Sequence, residues 1–148
     1  MALAAGATAI LANCAAPGMS APEVKIALRG ANAVPPNKST AAGTASFWVH
    51  ADRTLNGIVE TSGMEGTAAY VYTGPPGTVG SVAIQLVRTS VEGPVAMERT
   101  PISGASWSVP RSARFDEEQY RAFIAGETYV TVHSARYPTG ELRGQLKP

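Results

Sequence analysis

Short runs of alternating apolar and polar residues, each cut off by proline or glycine, constrain this chain more than any other feature. Val24, Ile26 and Leu28 alternate with Lys25, Ala27 and Arg29; Ala45, Phe47 and Val49 alternate with Ser46, Trp48 and His50. A period of two turns one set toward a core and the other toward solvent, which marks a half-buried strand. Between these runs, Gly30 to Gly43 carries Pro35-Pro36. It cannot supply a regular ladder of N–H donors and reads as loop. Ala51-Asp52-Arg53 reads as a turn, and Thr54 to Ser62 as the returning strand of a hairpin. Thr67 to Thr73 is a fourth strand, stopped by Gly74-Pro75-Pro76-Gly77, and Ser81 to Arg88 a fifth, with Val82, Ile84 and Leu86 on one face. Val91 to Gly104 is weakly patterned, with room for one short edge strand. Ala105 to Val109 is a further strand, ended by Pro110. With 15 Gly and 11 Pro in 148 residues, turns are frequent, which favours an all-β chain over a helical one.

One helix is expected, over residues 116–125. Asp116 can cap the first turn, and Gln119 stands three residues later as a capping box requires. Phe115 and Tyr120 are spaced as a hydrophobic staple, and Gly126 is a natural stop. Thr128 to Ser134 and Glu141 to Leu146 then form a closing hairpin, with Pro138 at the second position of its turn and Gly140 at the fourth. About eight short antiparallel strands with one small helix predict a two-layer β-sandwich, of Greek-key, immunoglobulin-like or copper/zinc superoxide dismutase-like kind.

The first residues differ from the rest. Residues 2–12, ALAAGATAILA, form an uncharged apolar run of signal-peptide length, too short to span a bilayer comfortably. Leu11-Ala12-Asn13-Cys14 resembles a bacterial lipobox, in which the cysteine is lipidated. It departs from that pattern at Asn13, where a small residue is usual, and in lacking Lys or Arg before the apolar run. Residues 1–22 are therefore expected to be an export signal or lipoprotein-type leader with a linker, and 23–148 one domain. The product would be periplasmic or on the cell surface, and any membrane attachment would run through Cys14. If the leader persists, its apolar run would favour self-assembly. Cys14 is the one cysteine, so no intramolecular disulfide forms. A net charge of +1 provides no electrostatic case for nucleic acid as partner.

Several spaced motifs, in order, resemble the CHRD domain, the module named after chordin and found in many exported bacterial proteins. Leu28-Arg29-Gly30-Ala31-Asn32-Ala33-Val34-Pro35-Pro36 resembles the opening motif, with Asn32 where an acidic residue is commoner. Gly43-Thr44-Ala45-Ser46-Phe47 resembles the next strand. The best match is Gly126 to Ser134 followed by Tyr137 to Leu146, GETYVTVHS and YPTGELRGQL. The likeness runs from Val24 to Leu146 and implies a sandwich fold. By analogy with chordin it implies binding of a protein or surface ligand. Many bacterial members carry His-X-His in the fourth strand, and with a third histidine these could hold copper or zinc, as in copper/zinc superoxide dismutase. This chain has Tyr70-Val71-Tyr72 there and keeps only His133.

The candidate residues each admit two readings. His133 is a metal ligand or general base, or a hydrogen-bonded side chain on an outward strand face beside Tyr129 and Thr131. The second is favoured, because zinc needs three or four protein ligands and a phenol is a poor ligand at neutral pH. His50 reads as a solvated residue at a strand end. Tyr70, Tyr72, Tyr129 and Tyr137 gather on one sheet face if the fourth and last-but-one strands are neighbours, as a binding cluster or as cross-strand packing. Arg143 recognises a carboxylate partner, or joins Glu141 in an ion-pair or cross-strand network. No nucleophile elbow, P-loop, dinucleotide fingerprint or HExxH is present. The expectation is a non-catalytic binding or structural module without cofactor. The other reading is a small copper or zinc protein with a redox or metal-handling role.

Overall fold

A computed structural model describes residues 21–89 and 104–148. Cys14 and the rest of residues 1–20, most of the expected leader, and nearly all of the weakly patterned stretch from Val91 to Gly104 lie outside the described residues. The elements are β1 (Glu23–Arg29), β2 (Ala42–Val49), β3 (Leu55–Ser62), β4 (Gly66–Thr73), β5 (Ser81–Gln85), β6 (Val87–Thr89), β7 (Gly104–Ser108), α1 (Glu117–Ile124), β8 (Thr128–Ser134) and β9 (Leu142–Leu146). All pairings are antiparallel, in the order β5-β4-β8-β9-β1-β2-β3-β7-β6. The architecture is thus the all-β antiparallel one expected, with one short helix, in a barrel-like sheet compatible with a sandwich.

The two ends of that strand order are consecutive in the chain. Only Leu86 separates β5, which pairs with β4, from β6, which pairs with β7. One segment therefore leaves one edge of the sheet and joins the other, and this removes most of the exposed edge. β4, the β5–β6 segment and β7 lie side by side in chain order, and β8 returns through α1 to the far side of β4. That is a Greek key.

The core follows the alternation seen in the sequence. Ile26 and Leu28 of β1, Ala45, Phe47 and Val49 of β2, Ala69 and Val71 of β4, Val130 and Val132 of β8, and Leu142 and Leu146 of β9 are buried together. Each large apolar side chain so buried contributes about 1.5–3 kcal/mol. The fifth strand departs from expectation. Ile84 and Leu86 are buried, but Val82 is 52% exposed. The register slips between Val71 and Tyr72: Val71 faces Ile84 while Tyr72 faces Val82, so Ala83 is an extra residue. This bulge turns Val82 onto the opposite face.

The helix ends where its local signals place them. The Gln119 amide donates to Asp116 Oδ1 at 2.8 Å and the Asp116 amide to Gln119 Oε1 at 3.0 Å, a complete capping box. At the other end Gly126 has φ +76°, and the Glu127 and Gly126 amides donate to the Ala122 and Phe123 carbonyls, closing a Schellman motif. In the closing hairpin the Gly140 amide donates to the Tyr137 carbonyl at 3.0 Å, with Pro138 second in the turn.

Candidate functional site

The outward face of β4, β8 and β9 gathers most of the residues singled out from the sequence. Register pairs Tyr72 with Tyr129, Tyr70 with Thr131 and Ala68 with His133; on the other side it pairs Thr131 with Arg143 and Tyr129 with Gln145. The side chains form a continuous row. The His133 ring stands edge-on to Tyr70 at 5.3 Å between centroids. Tyr72 stacks on Tyr129 at 5.1 Å with the rings 2° from parallel, and the Arg143 guanidinium lies 3.5 Å from the Tyr129 ring centroid. Tyr129 and Arg143 are buried, whereas Tyr70, Tyr72 and His133 are half-buried. Tyr137 is not part of the row; it sits in the hairpin turn with Arg136 beside its ring at 5.5 Å. His50 directly follows β2 and has Asn56 within 3.4 Å.

Hydrogen bonds assign the His133 tautomer. Nδ1 lies 2.8 Å from the Pro138 carbonyl oxygen, which can only accept, so Nδ1 carries the proton and donates. Nε2 is then the acceptor for the Tyr72 hydroxyl, 3.3 Å away. Burial pushes the Tyr72 phenol above its ordinary range, and the nearby Tyr129 and Tyr70 add to the rise.

Those facts test the fit of a copper or zinc ion. The one imidazole nitrogen free to ligate is taken by a phenol that holds its proton more tightly than usual. Among the described residues no three His, Cys, Asp or Glu side chains converge. The donor set on this face does not fit a copper or zinc site.

Arg143 is held by partners far away in sequence. Nη1 donates to the Thr78 carbonyl at 2.6 Å and Nη2 to the Pro75 carbonyl at 3.4 Å. The Gly80 amide donates to Tyr129 Oη at 2.9 Å, so the β4–β5 loop is tied down over the row. Burial draws the Arg143 guanidinium below the ordinary arginine range, with Tyr129 acting in the opposite direction. The ion pair with Glu141 does not form. Ser39 donates to Glu141 Oε1, and Asn37 Nδ2 donates to the Glu141 carbonyl at 2.9 Å. Instead, Glu141, just before β9, fastens the β1–β2 connection, and Arg143 of β9 fastens the β4–β5 loop.

Sequence reasoning missed Gln145 and the two loops. Gln145 shares the outward face with Arg143 by the period of two, and its Nε2 donates to the Gly126 carbonyl at 2.9 Å. Above β9 the β1–β2 connection and the β4–β5 loop enclose a groove of about 460 Å³, with Ala33, Val34, Pro36 and Pro76 in its walls and Arg143 and Gln145 at its base. A pocket of about 50 Å³ shares Ala33, Val34 and Arg143 and continues to Tyr72 and Tyr129. The signal available was the pair of Pro-Pro loops, each following a strand of this sheet.

A closed antiparallel β-domain with one helix and an aromatic row on an outer face is the class defined so far. The sequence model of the CHRD domain matches residues 24–146, and the chain belongs to that family. Searches of curated proteins and of solved structures found nothing that matches.

Proposed function

We propose that this CHRD-family chain is an exported, non-catalytic recognition module that binds a protein or small ligand through the outer face of β4, β8 and β9. One observation carries the reading: Tyr70, His133, Tyr72, Tyr129 and Arg143 are already packed in one row while three of them stay half-open to solvent. Aromatic side chains with few rotors, held in place before contact, lose little entropy on binding. The Tyr72–His133 pair supports binding better than chemistry, because a phenol with a raised proton affinity is a poor nucleophile. Export and attachment through Cys14 belong to the same proposal. Intact-mass analysis of the membrane fraction tests the anchor: a diacyl or triacyl adduct on Cys14 supports it, and a soluble species cut after Ala16 overturns it.

The recognition face is tested by selecting a displayed random-peptide library on the domain and on its Tyr70→Ser variant. Enriched peptides should lose about tenfold or more in affinity for the variant, equivalent to about 1.4 kcal/mol. Peptides that bind both proteins equally, or no enrichment, would remove the basis for the reading.

A further inference from the structure

We propose that the groove above β9 is a carboxylate-binding site, in which Arg143 takes the anionic head and the loop walls take an apolar body. The proposal rests on the reading of this face as a recognition surface and names the ligand chemistry that fits it. Arg143 is 4% exposed, yet among the described residues no carboxylate lies within salt-bridge distance of it. Its two acceptors, the Thr78 and Pro75 carbonyls, are neutral. A guanidinium has five N–H donors, and among the described residues only two acceptors meet them. The hydrogen bonds of Arg143 to described residues run through Nη1 and Nη2, not Nε. A buried cation facing only neutral dipoles and an aromatic ring lacks a counter-charge, and supplying one offsets its desolvation. Glu141 stands two residues away on the same face, but its carboxylate is engaged by Ser39.

The shape selects among anions. Val34, Pro36 and Pro76 form apolar walls, and Gln145 closes the base beside Arg143 with its side-chain amide turned to the Gly126 and Gly74 carbonyls. The volume of about 460 Å³ suits a small molecule or the last residues of a peptide. One guanidinium matches a monoanion, and a planar carboxylate can accept two parallel N–H bonds from it.

The test follows the Arg143 Nε–H and Gln145 side-chain amide signals of ¹⁵N-labelled protein. Titrants are 4-phenylbutyrate with 4-phenylbutanamide, and N-acetyl-alanyl-valyl-phenylalanine with its C-terminal amide. The acids should saturate these signals with Kd about 1 mM or tighter, and the amides about tenfold more weakly. Saturation by the small acid alone assigns a metabolite-like ligand; saturation by the peptide acid alone assigns a chain terminus. Val34→Glu, which places a carboxylate on the groove wall, should abolish acid binding in a protein whose remaining spectrum is unchanged. Amides binding as well as acids, no saturation, or undiminished binding in Val34→Glu would each overturn the site. If the acids fail to saturate while peptides selected on the aromatic row shift Tyr70 and His133, the recognition face stands and the carboxylate site alone falls.

Discussion

At the scale of single residues, the informative pair is Tyr72 and His133. Tyr72 stacks on Tyr129 and donates to His133 Nε2, so removing only its hydroxyl separates packing from hydrogen bonding. Tyr72→Phe should lower stability near neutral pH by about 0.5–1.5 kcal/mol in urea unfolding. The pH dependence has a definite sign. The folded Tyr72 holds its proton above the ordinary value of 10.0, so the unfolded chain releases that proton first. The wild type therefore loses stability from this group as pH rises above about 10 and through the higher folded value, and Tyr72→Phe does not. The gap between the two proteins should narrow from about pH 8 to about pH 11; a constant gap would contradict the assignment. The placement of Tyr70, Tyr72 and His133 on one face was legible, because it follows from strand period and one guessed neighbour relation. The partners of Arg143 were not, because they are carbonyls of a loop 65 and 68 residues away. Side-chain proximity in sequence pointed to Glu141 instead.

Among the elements, those governed by local signals were read closely and those governed by a partner strand were not. Asp116, Gln119 and Gly126 act within a few residues of themselves, and they bound α1 as expected. The Ala83 bulge has no such signature. Gly80 comes so close to Thr73 and Gly74 that a Cβ on it would meet the Thr73 carbonyl. That approach and the cross-strand slip at Val71/Tyr72 are set by β4, and a period of two read along one strand cannot register them. The β4–β8 pairing itself yields an element-scale prediction. Tyr70 and Tyr72 project from β4 toward His133 on β8, with ring centroids 5.3 and 6.4 Å from the imidazole. Tyr70→His with Tyr72→His would put three imidazoles on one face. The double variant should take up about one Cu²⁺ per chain, measured by metal analysis after loading and desalting, and should lose it on His133→Ala. The wild type should retain none. Metal retained by the wild type and lost in its His133→Ala variant would instead support a copper or zinc protein. No gain in the double variant would mean that the two strands do not hold this face.

For the whole molecule, the decisive event is closure, where the segment from Ser81 to Thr89 changes partner from β4 to β7. Three contacts seal it. The Leu86 amide donates to the Ala69 carbonyl at 3.0 Å, and Arg88 Nη1 donates to the Gly66 carbonyl at 3.0 Å with its guanidinium 5.9 Å from the Trp107 ring centroid. Trp107, 1% exposed on β7, packs its indole against Gly66 of β4 and comes near Val132 of β8. The strands were legible one at a time, but closure was not, because it depends on which two edges meet. Trp107 fits only because Gly66 has no side chain: a Cβ there would overlap the indole. Gly66→Ala should therefore cost about 1–3 kcal/mol by overpacking, and Trp107→Phe a comparable amount by leaving space. If the two residues share one volume, the smaller ring accommodates the added methyl. The double variant should then recover about 1–2 kcal/mol relative to the sum of the single changes, read from urea midpoints at equal slope. Costs that add within about 0.5 kcal/mol would show that Gly66 and Trp107 act independently, and closure would then rest on the Leu86 and Arg88 hydrogen bonds rather than on this shared volume.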